Sequence, residues 1–211
     1  MAKRSGGGGS GGGKGVLDRA RAALEKPASL DELLAKLSAR DRTNVDRHLA
    51  ALEAESDPKH AALWKRIAKT LATLAPHAIT TTGQQAVSFF IADGKYRMQV
   101  FAMEDNRDGK VLIYAVDALD EAVKAQVVKP PAKGAPDPSA HPISNGQALT
   151  VESLTNENTP NPSAFYKHML GWNRKALRIT LPHDATPQQI EAAEHLCAIA
   201  AIRWAPKTAE S

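Results

Sequence analysis

The chain has 211 residues, enough for one large domain or two small ones, and 43% hydrophobic against 24% charged residues is a balance that can bury a core. Aromatics make up only 5%, so that core must be built mainly from Ala, Leu, Ile and Val. The net charge of +4 does not imply a generally basic surface: Lys3, Arg4 and Lys14 supply three charges in an acid-free stretch of residues 1–14, which leaves 24 basic and 23 acidic residues in 15–211.

Cys197 is the single cysteine, which excludes an internal disulfide and a thiolate metal site. Lys3 and Arg4 are followed by glycines rather than by an apolar leader, so a reducing, cytoplasmic setting is expected. No apolar run approaches the roughly 18 residues of a membrane span, and no membrane partner is expected.

Residues 1–15 read as a disordered, Gly-rich basic tail, because glycine loses the most backbone entropy on ordering and brings no apolar surface to offset it. Three readings fit it: a plain flexible tether, an engineered linker, or a basic arm whose Lys3, Arg4 and Lys14 touch phosphate.

Residues 16–76 are predicted as a helical subdomain. Val16, Leu17, Ala20 and Leu24 form a short apolar stripe that stops before Pro27. Ser29 and Glu32 spell a capping box ahead of Leu30, Leu33, Leu34 and Leu37. Val45, Leu49 and Leu52 make the next stripe, with Asp41 at the helix start. Asp57-Pro58 opens a fourth helix with the stripe Leu63, Ile67, Leu71 and Leu74, ended by Pro76.

Residues 77–206 are predicted as an α+β domain. The pattern changes to period two, and Val87–Ala92, Tyr96–Phe101 and Val111–Val116 give a three-stranded meander turning at Asp93-Gly94 and at Asp105–Gly109. A short helix is expected over 118–127. The Pro-rich stretch 129–142 carries five prolines and reads as a linker or a long surface loop. A strand at Leu149–Leu154, a helix at Ser163–Leu170 and a strand at Ala176–Leu181 follow. Thr186-Pro187-Gln188-Gln189 then opens the last helix, whose apolar face is Ile190, Ala193, Leu196, Cys197, Ala200 and Trp204. The fold class is α+β: an N-terminal helical bundle, then a mostly antiparallel sheet with a long C-terminal helix packed on it.

Within residues 16–55, the capped helix with Leu30, Leu33, Leu34 and Leu37, followed by a polar helix with Val45, Leu49 and Leu52, resembles the core of helix-turn-helix and winged-helix DNA-binding domains. The resemblance implies that Arg42, Thr43, Asn44, Arg47 and His48 face a major groove. The alternative is a set of amphipathic helices packed on each other, with these polar residues as a solvated face. The order of elements from 58 to 127 is also similar to the double-stranded-RNA-binding fold, but Asp117, Asp120 and Glu121 stand where that family needs lysines.

Other candidate chemistry is sparse. Glu104, Asn106, Asp108 and Gly109 imitate the start of a calcium loop, but Ala115 stands where its last acid should be, so a polar turn is expected. Residues 165–178 interleave aromatics with cations, and Tyr166, His168, Trp172, Arg174 and Arg178 could hold an anionic ligand; the alternative is core aromatics with a rim of solvated cations. His183-Asp184 has no nucleophile in a recognisable elbow. Neither a phosphate loop nor a dinucleotide fingerprint is present.

The leading expectation is a non-enzymatic binding protein, with no cofactor, no metal and no catalytic residue. Its helical part and tail would engage a partner, nucleic acid among the candidates, and its α+β part would bind a second protein or another copy of itself. The rival is a small-ligand or enzyme site around 165–178. A third reading is an oligomeric structural protein.

Overall fold

A computed structural model describes residues 11–25, 29–55, 58–82, 86–93, 96–106, 108–154 and 175–204. Its strands are β1 (Ala78–Thr82), β2 (Ala86–Asp93), β3 (Tyr96–Asn106), β4 (Lys110–Val116), β5 (Ala140–Pro142), β6 (Ala148–Leu154) and β7 (Ala176–Pro182). Its helices are α1 (Gly11–Leu24), α2 (Leu30–Ala35), α3 (Ala39–Glu55), α4 (Pro58–Leu74), α5 (Leu119–Lys124) and α6 (Pro187–Trp204). The architecture is α+β, as the order of patterns in the sequence implies. Among the described residues, no helix is long and apolar enough to cross a membrane.

The strands form one antiparallel sheet in the order β1-β2-β3-β4-β7-β6-β5. Alternation along the central strands sends Phe101 and Met103, Val111 and Ile113, Leu177 and Ile179, and Leu149 and Val151 to one buried face. Helices α4 and α6 pack on the sheet, and α1 lies over both helices. Trp64, Ile67 and Leu71 of α4, with Ala193, Leu196, Cys197 and Ala200 of α6, close the core. Residues of both predicted domains belong to a single buried cluster, so residue 76 does not separate two cores.

Local signals set the helix ends. Ser29 Oγ accepts from the Glu32 N–H at 3.1 Å, and Glu32 reaches back to the Ser29 N–H at 2.8 Å. These bonds hold the Glu32 carboxyl below its ordinary range. Helix α3 is capped by Ser38, which accepts from the Asp41 N–H at 3.1 Å. Thr186 and Gln189 make the same reciprocal pair at the start of α6.

Three expectations need correction. Helix α1 starts at Gly11, inside the stretch read as tail, because the turns anchored by Leu17, Ala20 and Leu24 extend backward; Lys14 and Gly15 there are exposed. The sheet has seven strands rather than a meander with two outliers: β1, rich in threonine, and the three-residue β5 were not recognised. Residues 129–142 are no domain linker. Lys129 N–H donates to the Pro142 carbonyl at 2.7 Å, and the buried His141 ring holds the Lys129 carbonyl through Nδ1 at 3.1 Å, so the two ends of the loop meet. The expected Gly94 turn and the helix near 163–170 lie outside the described residues.

Helix α5 ends in a Schellman motif. Val127 N–H donates to the Ala122 carbonyl at 2.9 Å and Gln126 N–H to the Val123 carbonyl at 3.0 Å. That geometry puts Gln126 at φ 59°, where side chains are unfavourable and glycine is usual. The exposed Gln126→Gly replacement should therefore raise stability by about 1 kcal/mol in urea unfolding; a loss of stability would refute the strain.

Candidate partner-binding trough

Helix α4 has two unlike faces. Ala61, Leu63, Trp64, Ile67, Ala68, Leu71 and Ala72 point into the core, at the spacing of a broad apolar stripe. Lys59, Ala62, Lys65, Arg66, Lys69 and Thr73 are left on the other side. The helix contains no acid, and none occurs in the sequence from Pro58 to Ala92.

Along this cationic side, α4 borders a trough with two lobes that share Ala62 and Arg66, with Leu24 of α1, the loop 183–186 and α6 on its other side. The first lobe, of about 440 Å³, is lined by Leu24, Ala62, Lys65, Arg66, Lys69, Thr70, Thr73 and Glu194. The second, of about 480 Å³, is bordered by Lys59, Ala62, Leu63, Arg66, His183, Asp184 and Ile190. The wall between α4 and α6 is a fixed fork. Arg66 donates to both Glu194 oxygens, from Nε at 2.9 Å and from Nη2 at 2.7 Å, and Thr70 donates to Oε1 at 2.9 Å. Glu194 raises the Arg66 guanidinium above its ordinary value. Lys65 pairs with Glu53 of α3.

The DNA-reading residues expected on α3 are split by the packing. Arg42, Thr43 and Arg47 lie on its exposed side, with Arg42 3.8 Å from Asp46 and the Thr43 hydroxyl donating to the Ala39 carbonyl. Asn44 and His48 do not face a groove. Asn44 donates from Nδ2 to the Thr81 hydroxyl of β1 at 3.0 Å. His48 is turned inward because the same helix face carries Val45, Leu49 and Leu52 into the core. Lys3 and Arg4 lie outside the described residues, and Lys14 sits in the exposed first turns of α1.

The inward turn of His48 brings it to two other buried polar side chains, Asp105 and His60. His48 Nε2 lies 3.2 Å from Asp105 Oδ2, and His60 Nε2 lies 2.8 Å from Asp105 Oδ1. The His48 ring packs on Trp64 with centroids 5.6 Å apart. The three side chains are only 9%, 6% and 5% exposed, which leaves no entry for a substrate. Among the described residues, no group of three or more His, Cys, Asp or Glu side chains is arranged to hold a metal ion. The cluster is therefore a buried polar contact joining α3, α4 and β3, close in distance but outside hydrogen-bond geometry at His48 Nε2, His60 Nε2 and Asp105 Oδ1.

Of the cluster expected around 165–178, Tyr166, His168, Trp172 and Arg174 lie outside the described residues. Arg178 stands on the sheet face away from α4 and α6, and forks onto Glu152 with bonds of 2.8 and 2.9 Å. Its charge is paired there with that carboxylate. The turn read as a failed calcium loop is a strand turn: Glu104 accepts from the Tyr114 hydroxyl at 2.9 Å, and Asp105 points into the core. His183 packs over Gly109, whose φ of +70° makes the turn. Burial pushes the Cys197 thiol up, which leaves it unreactive.

Neither the Asp105 tie nor the trough was foreseen. The acid-free run from Pro58 to Ala92 was the signal for the trough; the tie joins residues too far apart in sequence for any local pattern to connect them. No family model matches the chain, and no curated protein or solved structure matches it.

Replacing Asp105 with Ala leaves two sealed imidazoles without their carboxylate. The variant should lose about 3 kcal/mol in chemical unfolding; a cost below about 1 kcal/mol would mean that the tie is not structural.

Proposed function

We propose that this protein is a non-catalytic binding module that holds an acidic macromolecular partner in the trough between α4 and α6. The observation that carries this reading is the acid-free helix α4, whose Lys59, Lys65, Arg66 and Lys69 border two lobes with apolar residues in their linings. A cationic wall in a concave surface concentrates anions and speeds their capture. The cluster most like a catalytic site is sealed, which supports binding over turnover. Nucleic acid is one candidate polyanion, with Arg42 and Arg47 exposed on the neighbouring α3.

A second reading, a small-ligand site, rests on a cleft of about 410 Å³ on the opposite sheet face, lined by Lys110, Leu112, Ser139, Thr150, Glu152, Arg178, Thr180 and Pro182. Arg178 is paired with Glu152 there, as Arg66 is with Glu194 in the trough; the trough is the better-supported site because Lys59, Lys65 and Lys69 add to its cationic side, whereas the cleft adds only Lys110.

The test is titration of labelled polyglutamate and of mixed single-stranded DNA at about 50 and 200 mM salt. Binding of at least one should fall steeply with salt, and the double variant Lys65→Glu, Lys69→Glu should weaken it about tenfold or more. Both lysines lie outside the core, and the exposed Lys65–Glu53 pair contributes at most about 1 kcal/mol, so the melting temperature should fall only slightly. If neither polyanion binds at the lower salt, the proposal fails.

A further inference from the structure

If the trough is the binding site, its shape and lining select among acidic partners. We infer that its occupant is an acidic amphipathic helix of a partner protein, carrying two apolar side chains one helical turn apart with carboxylates beside them.

The two lobes define the spacing. On α4 the first is lined by residues 62–73 and the second by residues 59–66, and they share Ala62 and Arg66. Their centres are offset by about five residues, which at the rise of an α-helix is about 7 Å. A helix lying alongside α4 would place the side chains at i and i+4 into the two lobes. Leu24 and Ala62 offer apolar contact in the first, and Ala62, Leu63 and Ile190 in the second. Lys65 and Lys69 stand one turn apart beside the first lobe, where carboxylates at the same spacing would meet Lys69 and share Lys65 with Glu53 of α3.

Nucleic acid fits the same lining less well. A phosphate backbone has no apolar groups to bury against Leu24, Ala62 and Ile190. Asp184 and Glu194 stand on the α6 side of the trough and would meet phosphates as like charges. A protein helix can set its alanines rather than its carboxylates against both, a choice that a uniformly charged phosphate backbone does not have.

The experiment uses the full chain and fluorescence anisotropy. The probes are a labelled peptide of about 15 residues, built from Glu and Ala with two leucines at i and i+4, the same peptide with both leucines changed to Ala, and single-stranded DNA. The decisive variant is Ala62→Phe, on the exposed side of α4, which fills the junction of the lobes and leaves every charge in place; circular dichroism and thermal melting confirm that it folds. The leucine peptide should bind about tenfold tighter than its alanine control, and Ala62→Phe should erase that difference. Equal binding of both peptides and DNA, abolished by Lys65→Glu, Lys69→Glu and indifferent to Ala62→Phe, would overturn the helix proposal while leaving an anion-binding surface. Binding of DNA alone would also overturn it, in favour of nucleic acid. Failure of all three probes to bind would sink the inference together with the functional reading beneath it.

Discussion

A carboxylate placed inside an apolar core must find positive or hydrogen-donating partners there or it destabilises the fold. Asp105 projects from the inner strand β3 into that core, and the imidazoles of His48 and His60 lie against it from two different helices. This contact lies on the same helix faces as the apolar stripes that orient both helices. With His60 pointing down, α4 must also turn Trp64, Ile67 and Leu71 down, and its lysines are then forced outward. With His48 pointing down, α3 lays Val45, Leu49 and Leu52 on the same core and carries Asp41 and Asn44 to the sheet edge. The cationic wall of the trough is the far side of an arrangement fixed from within.

The two faces of the sheet differ in kind. Toward the helices it is an apolar surface with polar contacts at Asp105 and, on the edge strand, at Thr81. On the opposite side, Glu104, Tyr114, Arg178 and Glu152 come from four neighbouring strands, with Tyr114 donating to Glu104 and Arg178 forked onto Glu152. Burial, together with the Glu104 carboxylate, holds the Tyr114 phenol in its protonated form. These pairs lock register, because sliding one strand by a residue would send each partner to the other face.

Much of the architecture was legible from local chemistry. The capping pairs Ser29–Glu32 and Thr186–Gln189, the Pro58 helix start and the period-two runs each encode a boundary within a few residues of itself. Strand β5 was hidden because His141 and Pro142 sit among prolines, and only the pairing with Leu149 and Ala148 makes them strand. Strand β1 was hidden because Thr80, Thr81 and Thr82 lack alternation, and the α3 side chains that bind Thr81 come from forty residues away. The candidate site was legible only as composition, an acid-free run; its concavity depends on α6, which lies more than a hundred residues further along. Asn44 and His48 were placed on the wrong side of α3 for a related reason: a helix cannot show the same face both to a groove and to a core, and here Asn44 bonds to β1 while His48 lies beside Val45 and Leu49.

The free flank of β1 has one further consequence. An outer strand normally offers a row of unpaired amides onto which another extended chain can zip. Here the Thr81 amide is taken by Asp41 Oδ1 at 3.0 Å, and the Thr81 hydroxyl lies between Asp41 and Asn44. At the other border, β5 is three residues long and ends in a proline without an amide proton. Both borders of the sheet thus resist templated growth, so crowding should not recruit further copies into a continuous ribbon, and association is steered toward side-chain surfaces instead of backbone pairing.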